Sequence, residues 1–464
     1  MESRFPAPFL AAMQSRLGPE YSLWTQAMNH QPPTSIRLNP SKISAAGSEN
    51  IVPWAQSGRY LDHRPIFALD PAWHAGAYYV QEASSMLIEA AIPGSLRDHP
   101  IRALDLCAAP GGKSTHLCAL IHPYSLIVSN EVIRQRARIL EENLVRWGQG
   151  NHITTNLDPG SIGTLSAFFD LILVDAPCSG EGMFRKDPAA IQEWSPDHVD
   201  LCHARQTRIL NEIWPSLAPG GTLIYSTCTW NDLEDEGVIN RFVAETGAMI
   251  VPPQPDPQWG FREISLSKGS ALMALPHQVR GEGFFLVTLQ KPGEFTTSSS
   301  DRRKSGKLNL AGKKLRSSLS NMVPESWGLF EHHGGLFVFP DLMLSDADYL
   351  LGQIPIVSMG VEIGEIKGKD FRPGPDSAFW SSLPDRYPRI DLSLEDSLKF
   401  LRRDPVSGIR EKGWLLMCHE QIPLGWAKGL GNRLNNYFPQ NWRLRMDLPQ
   451  GPPPPSVISS MRTS

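Results

Sequence analysis

The chain has 464 residues, too many for one ordinary domain at roughly 100–200 residues each. Apolar residues make up 41% and there are 40 prolines, which predicts sizeable cores joined by many loops and turns. A formal net charge of -4 excludes a chain that is basic throughout.

The N-terminal MESRFPAPFLAAM has no basic region followed by a long apolar run, so no signal peptide is expected. No stretch approaches the ~18 apolar residues of a membrane-spanning helix. Residues 1–95 mix short helical patterns with proline-rich turns, and GAYYVQEASSM (76–86) ends in a helix-like start. From there strands and helices alternate. IRALDL (101–106) is a short apolar run that ends in a glycine loop, and a helix pattern follows from Lys113. SLIVSN (125–130) is a second strand. VIRQRARILEENLVRWG is an amphipathic helix that ends at Gly148. HITTN (152–156) and FFDLILVDAP (168–177) are further strands, then a helix over about 199–217. GGTLIYSTC (220–228) is the next strand, and NDLEDEGVINRFVAET a helix with Asn231 as N-cap. GFFLVTLQK (283–291) reads as a closing edge strand. Strands separated by helices predict a parallel, doubly wound α/β sheet, with ligands at the carboxyl ends of its strands.

A polar, basic segment over 293–320 reads as a linker. An intermediate domain follows over 321–389 and a compact region over 390–448. The tail, 449–464, with its PPPP run, is expected to be disordered. From Asp396 to the end there are 10 Lys and Arg against 5 Asp and Glu. Phosphate-binding surfaces need such local, not global, positive charge. The six cysteines are 107, 118, 178, 202, 228 and 418. They form no CxxC pair, so neither a disulfide framework nor a metal site is expected, and a reducing cytoplasmic compartment fits.

ALDLCAAPGGKST (103–115) joins strand, glycine turn and helix. Gly111 and Gly112 allow a tight turn and close approach to a ligand, and the helix start offers free N–H groups. Glu131, 19 residues after Gly112, ends the next strand, where an acid accepts from ribose hydroxyls. A triphosphate loop would need glycine where Cys107 stands, and the GxGxxG of a dinucleotide loop is absent. S-adenosylmethionine asks for an acid on the ribose, an adenine pocket and room for the amino-acid tail, which fits. Asp158, at the end of the third strand, is placed to meet the adenine amino group or to make an ordinary Asp-Pro turn.

VDAPCSGEGMF (174–184) and YSTCTWNDLEDE (225–236) each follow a strand of the same sheet. They deliver Asp175, Cys178 and Cys228 to one sheet edge. Most buried cysteines are merely small hydrophobes, but two thiols beside a cofactor loop suit one demanding reaction. Cytosine carbon 5 becomes nucleophilic once a thiolate adds to carbon 6. The ring nitrogen then needs a partner as charge develops. Asp175 would serve if protonated, or would bind the exocyclic amine. Lys113 stabilises charge or simply starts its helix. Spacing does not rank the two cysteines.

Taken together, ALDLCAAPGGKST, NEVIRQRA, DAPCSGEG and the Ser-Thr-Cys of YSTCTW resemble the Nol/Nop/Sun (Fmu) family of RNA cytosine-5 methyltransferases. The resemblance runs from about Ser35 to Lys291. SIRLNP (35–40) resembles that family's Arg-x-Asn motif, at Arg37 and Asn39. It implies a Rossmann-like class I methyltransferase core over 96–292 and an α+β N-terminal RNA-positioning subdomain over 1–95, with Arg37 as an RNA contact. It also implies a cofactor site of Cys107, Ala108, Ala109, Pro110, Gly111, Gly112 and Lys113, with Glu131, Asp158 and Asp175. Cys228 is then the nucleophile and Cys178 the thiol that promotes product release.

GWAKGLGNRLNNYFPQNWRLR (425–445) resembles the PUA-like RNA-binding domain of the bacterial small-subunit rRNA methyltransferase F-like subgroup. Lys428, Arg433, Arg443 and Arg445 are candidate phosphate contacts, and Trp426, Tyr437 and Trp442 candidate stacking rings. The expected protein is a monomer with a mobile C-terminal module, acting on RNA whose target cytosine is unpaired or flipped out. Small-subunit rRNA is the expected partner; tRNA, or a non-catalytic role in ribosome assembly, are the alternatives. A chain specialised for amino-group methylation would carry Asn-Pro-Pro-Tyr or Asp-Pro-Pro-Tyr where Asp-Ala-Pro-Cys stands.

Overall fold

The computed structural model describes residues 4–43, 49–294, 306–368, 370–448, 451 and 453–463. Seven strands of its central sheet build the site: β1 (Arg102–Asp105), β2 (Leu126–Asn130), β3 (His152–Thr155), β4 (Phe169–Asp175), β5 (Leu217–Thr227), β6 (Gly269–Ala274) and β7 (Phe284–Gln290). Their order is β6-β7-β5-β4-β1-β2-β3. β1 to β5 are parallel, while β7 is antiparallel to both β5 and β6. The order reverses between β1 and β4, where a crevice opens at the strand ends.

The sheet is buried on both faces, as its near-continuous apolar strands require. Alternate residues of β4 divide between two cores. Ile172 and Val174 join the one shared with helix α3 (Pro196–Ile213). Leu171 and Leu173 join the one shared with α1 (Gly112–Leu120) and α2 (Arg134–Trp147).

The segment 283–291 is not an edge. β7 lies inside the sheet, because a hairpin of Arg262–Leu266 and β6 adds two strands beyond it. The sheet also grows at the other side, where Ser358–Met359 pairs antiparallel with β3. A strand from the region after the core therefore completes the core's own sheet.

The N-terminal region is α+β. Helix Ala7–Leu17 packs Phe9 into an aromatic cluster with Trp24, Phe184, Trp194 and Trp230. A four-stranded sheet follows, with Thr34–Leu38 beside both Ala55–Leu61 and Tyr78–Val80. Arg37, expected on an RNA-facing surface, is fully buried. Its guanidinium donates to Gln81 Oε1 at 2.8 Å, Thr115 Oγ1 at 2.6 Å and the Gly112 carbonyl at 3.2 Å. It also stacks 4.3 Å from the Trp147 ring. Arg37 thus ties the N-terminal sheet to α1 and α2. An exposed cation is excluded there because the strand's neighbours close over it.

The linker expectation over 293–320 fails at its C-terminal end, while 295–305 lie outside the described residues. Asn309–Leu310 pairs with Trp327–His332 in a five-stranded sheet, and Lys313–Ser318 is helical. A second four-stranded sheet carries Lys412–His419 and Ile422–Leu430. It is no mobile module: Phe400, Met417, Leu424 and Trp426 share one core with Ile36, Leu38 and Tyr78 of the N-terminal region. The expected disordered tail includes a helix, Val457–Thr463. Val457 and Ile458 enter that same core, and the Val457 N–H donates to Asp70 Oδ2 at 3.0 Å. Apolar side chains at 457, 458 and 461 give this short helix one sticky face.

Arg37→Ala is expected to lower unfolding stability by about 2–4 kcal/mol, since it strips a buried polar network of its donor. Urea denaturation measures this. RNA affinity of the folded variant should stay unchanged; a specific loss of affinity would restore Arg37 as an RNA contact.

Candidate active site

The crevice begins at β1. Its last residue, Asp105, is fully buried and accepts from Ser114 Oγ at 2.6 Å through Oδ2. Its Oδ1 is buried without any partner. Burial pushes the Asp105 carboxyl up to about 7, with Ser114 opposing. The chain then turns through Cys107–Gly112. The Ala108 N–H donates to the Asn130 carbonyl at 2.8 Å. Arg136 caps the Ala109 carbonyl at 2.8 Å and Asn143 the Pro110 carbonyl at 2.8 Å. Gly111 has φ 115°, a left-handed conformation that side chains resist. The Cys107 thiol is pushed up by burial first and by Asp105 next.

Asn130, at the end of β2, is buried and fastens three strand ends. Its amide donates to the Leu106 and Leu157 carbonyls, and its oxygen accepts from Thr155 and the Leu157 N–H. Glu131 follows, buried, accepting from the Ile133 N–H at 2.9 Å with Arg136 at 3.4 Å. Beside it Val132 and Ile133 are exposed apolar residues. These groups fit S-adenosylmethionine: Glu131 for the ribose hydroxyls, the apolar pair for adenine, and the orphaned Asp105 oxygen for the amino-acid nitrogen. Asp158 lies elsewhere in the polar scheme. It caps Pro159–Gly163 through the Gly160 N–H, and its exposed carboxylate pairs with Arg208 at 3.1 Å.

β4 and β5 end side by side, with Asp175 opposite Ser226 in register. The loops beyond bring Cys178 Sγ and Cys228 Sγ to 3.2 Å. Both thiols are half-buried and free. Next to them, Lys113 Nζ donates to Asp175 Oδ2 at 2.7 Å and Ser226 Oγ to Oδ1 at 2.8 Å. Both Asp175 oxygens therefore already accept. Burial opposes the charge on Lys113, but Asp175, Asp105 and Cys228 outweigh it and hold the ammonium up. Cys178 is held protonated, first by its hydrogen bond with Cys228 and then by burial.

Sequence reading missed what fixes the two loops. Buried Glu234 accepts from the Ser179 N–H at 2.9 Å and from Gln206 Nε2 at 2.8 Å. Gln206, on α3, also donates to the Pro177 carbonyl. Glu181 accepts from Trp194, Asn231 and the Trp230 N–H. Gly182 packs against Gly283 and the Cys228 carbonyl; a Cβ there would lie 2.7 Å from the Gly283 oxygen. Glu234 in the run NDLEDE was the available signal, since a helix start that buries an acid needs a donor for it. Asp105 carried a signal too: an acid inside an apolar strand, just before the glycine loop.

Among the C-terminal candidates, Arg433, Arg443 and Arg445 are exposed, and Lys428 sits 5.4 Å over the Trp414 ring. Trp426 is not available for stacking. It is buried and donates to Ser377 Oγ at 3.0 Å. Trp442 rests against Phe379 and under Arg146. Tyr437 is half-exposed beside Trp414 and Arg372.

Among the described residues there is no group of three or more His, Cys, Asp or Glu able to hold a metal ion, and no helix is long and apolar enough to cross a membrane.

Known proteins share this chain's sequence and fold. The model of the N-terminal domain of 16S rRNA methyltransferase RsmF matches residues 5–83. That of the 16S rRNA methyltransferase RsmB/F matches 96–290, and the methyltransferase RsmF PUA domain matches 387–444. Ribosomal RNA small subunit methyltransferase F of Klebsiella pneumoniae (strain 342) is 31% identical, over 94% of this chain and 96% of its own. Its counterpart in Erwinia tasmaniensis is 30% identical over the same shares. A solved methyltransferase homologue from Pyrococcus horikoshii superimposes with a TM-score of 0.50 at 27% identity, over 62% of this chain and 100% of that one. NSun6 from Pyrococcus horikoshii with SFG shares the fold, with a TM-score of 0.52 at 20% identity over 63% and 99%. Matches in three successive regions, and relatives that cover nearly the whole length, establish that the chain belongs to the 16S rRNA methyltransferase RsmB/F family.

Proposed function

We propose that the chain methylates carbon 5 of a cytidine in small-subunit rRNA, with Cys228 as the nucleophile. The observation that carries this reading is the 3.2 Å approach of Cys178 and Cys228 beside the Lys113–Asp175 pair. S-adenosylmethionine, held by Asp105, Glu131 and the loop 107–113, supplies an electrophilic methyl group.

The protein's own groups divide the remaining work. The hydrogen bond with Cys228, and then burial, hold Cys178 as a thiol, and the Lys113 ammonium interacts favourably with Cys228. We assign the attack to Cys228, the cysteine of the Ser-Thr-Cys motif. Its thiolate adds to cytosine carbon 6, and the ring's 5,6 electrons become available at carbon 5. Asp175, accepting at both oxygens, suits the exocyclic amine as a further donor rather than serving as an acid. After methylation a base such as water takes the carbon 5 proton, the electrons of that C–H bond re-form the 5,6 double bond, and the carbon–sulfur bond breaks with its electron pair returning to Cys228. Cys178, in contact with the departing sulfur, assists that release. A cytosine stacked in a helix offers no path to carbon 6, so the target base must be unpaired or extruded.

Cys228→Ala should lower methylation more than ~10³-fold and leave cofactor affinity nearly unchanged, read by methyl-group incorporation and calorimetry. Cys178→Ala should accumulate a covalent RNA adduct, seen as a slowed, protease-sensitive RNA band; its absence would remove the release role. Asp105→Asn should weaken S-adenosylmethionine binding about 10-fold or more, as lost charge-assisted hydrogen bonds do. It also has a pH signature. A carboxyl raised to about 7 in the folded chain contributes stability below pH ~4 that is lost as the pH rises through ~7. Without cofactor, Asp105→Asn should therefore gain in melting temperature over the parent between pH 5 and 8; an unchanged difference across that range contradicts the buried, protonating carboxyl.

A further inference from the structure

A second cleft, of about 830 Å³, opens where the N-terminal region meets the core. One wall is formed by residues 31–34 and 61–64, and the other by 185–186 and 276–281. Its charged lining is Arg64, Arg185, Lys186 and Arg280 against Asp62. Arg185 is a brace rather than a free charge. Its guanidinium binds both oxygens of buried Glu282 and the carbonyls of Gly281 and Ala27. Arg64, Lys186 and Arg280 have no carboxylate within ion-pair distance among the described residues. Arg280 is exposed and lies over the Tyr60 ring, 4.1 Å from its centroid, and Arg64 lies 5.4 Å over Phe67. The excess charge is positive, in a protein whose net charge is -4.

The cleft is joined to the reacting sulfurs by very short chain paths. Lys186 is four residues from Gly182, whose N–H donates to the Cys228 carbonyl at 2.9 Å. Four residues span at most ~14 Å. On the other wall Gly281 is two residues from Gly283, which packs on Gly182. The same loop that carries Cys178 thus continues straight into the cleft. Cations on flat aromatic supports, spread along a cleft of several hundred Å³, match a chain of phosphates better than a single small ligand.

We infer that this cleft binds the RNA backbone on one side of the target cytidine, with Lys186 and Arg280 as phosphate contacts and Arg64 at its outer end. The inference rests on the RNA-methylating role proposed above and names where its substrate runs. These residues are positioning groups. They hold the strand so that the target base reaches Cys228, and they take no part in the chemistry.

The test uses the full chain with Lys186→Gln/Arg280→Gln and Lys186→Glu/Arg280→Glu double variants. Protein-free small-subunit rRNA and assembled small subunits serve as probes over a salt series. Both variants should weaken binding to both probes, the Glu variant by at least ~10-fold. The slope of log affinity against log salt should fall by roughly 0.7 to 0.9 for each lost contact. S-adenosylmethionine affinity and melting temperature should match the parent, which shows that the fold is intact. Unchanged affinity and slope in well-folded variants would overturn the inference. Weaker binding to subunits alone would also overturn it, by showing that the cleft faces ribosomal protein. A parent chain that binds neither probe would sink the RNA-methylating reading together with the cleft. A parent that binds RNA through the cleft yet methylates another atom would sink only the cytidine chemistry.

Discussion

Two sulfurs 3.2 Å apart on loops 50 residues apart in sequence require both loops to be fixed, and buried carboxylates do the fixing. Glu234 holds the Cys178 loop through the Ser179 N–H and binds Gln206, which in turn holds the Pro177 carbonyl. Glu181 spans to the other loop through the Trp230 N–H and Asn231. Ser179 and Thr229 hydroxyls join the two loops directly at 3.1 Å. Burial raises the carboxyls of Glu181 and Glu234, and their donors oppose that rise. A buried polar network of this kind is costly if incomplete and rigid when satisfied. Here it is not complete: Glu234 Oε1 and Gln206 Oε1 are buried without a hydrogen-bond partner, so the loops are held through Glu234 Oε2 and through Glu181.

The same economy explains how three regions share one frame. The C-terminal end of α2 is the junction. Arg146 lies over Trp73 of the N-terminal region and Trp442 of the C-terminal sheet. Lys42 donates to the Ala75 and Arg146 carbonyls. At Gly148, a Cβ would fall 2.0 Å from the Phe379 carbonyl oxygen, so only glycine lets the chain approach this closely. The C-terminal sheet is therefore held in a fixed place against α2 and the N-terminal region. Exposed Arg433, Arg443 and Arg445 belong to a sheet that shares its core with the N-terminal region.

Much of this was legible in the sequence, and the limits have physical causes. The strand–loop–helix units around 103–115, 125–148 and 168–184 are local, and their periodicity and turn residues announce them. Position at strand ends followed from the parallel topology alone. Partners distant in sequence did not. Arg37 looked like a surface cation because Gln81, Thr115 and Trp147, which enclose it, are 44 to 110 positions away. The run 283–291 looked like an edge because the hairpin 262–274 beyond it is weakly patterned. The proline run suggested a disordered tail, while the short helix behind it is stabilised by a core built elsewhere. Spacing left the two cysteines equal, and the 3.2 Å contact between them is symmetric in its donor; only the motif each belongs to separates them.

Charge placement links the two sites. A thiolate at Cys228 and a phosphate backbone in the adjoining cleft would be two negative charges brought to one corner of an acidic protein. Lys113 is already paired with Asp175 at 2.7 Å. It cannot also neutralise the RNA. Separate cations, Lys186 and Arg280, are carried by the segments that flank the catalytic loops but point their charge into the cleft. Phosphate binding and thiolate formation then draw on different residues. Salt, which screens exposed charges over about 10 Å, should act on the cleft's exposed cations far more than on the part-buried Lys113–Asp175 pair.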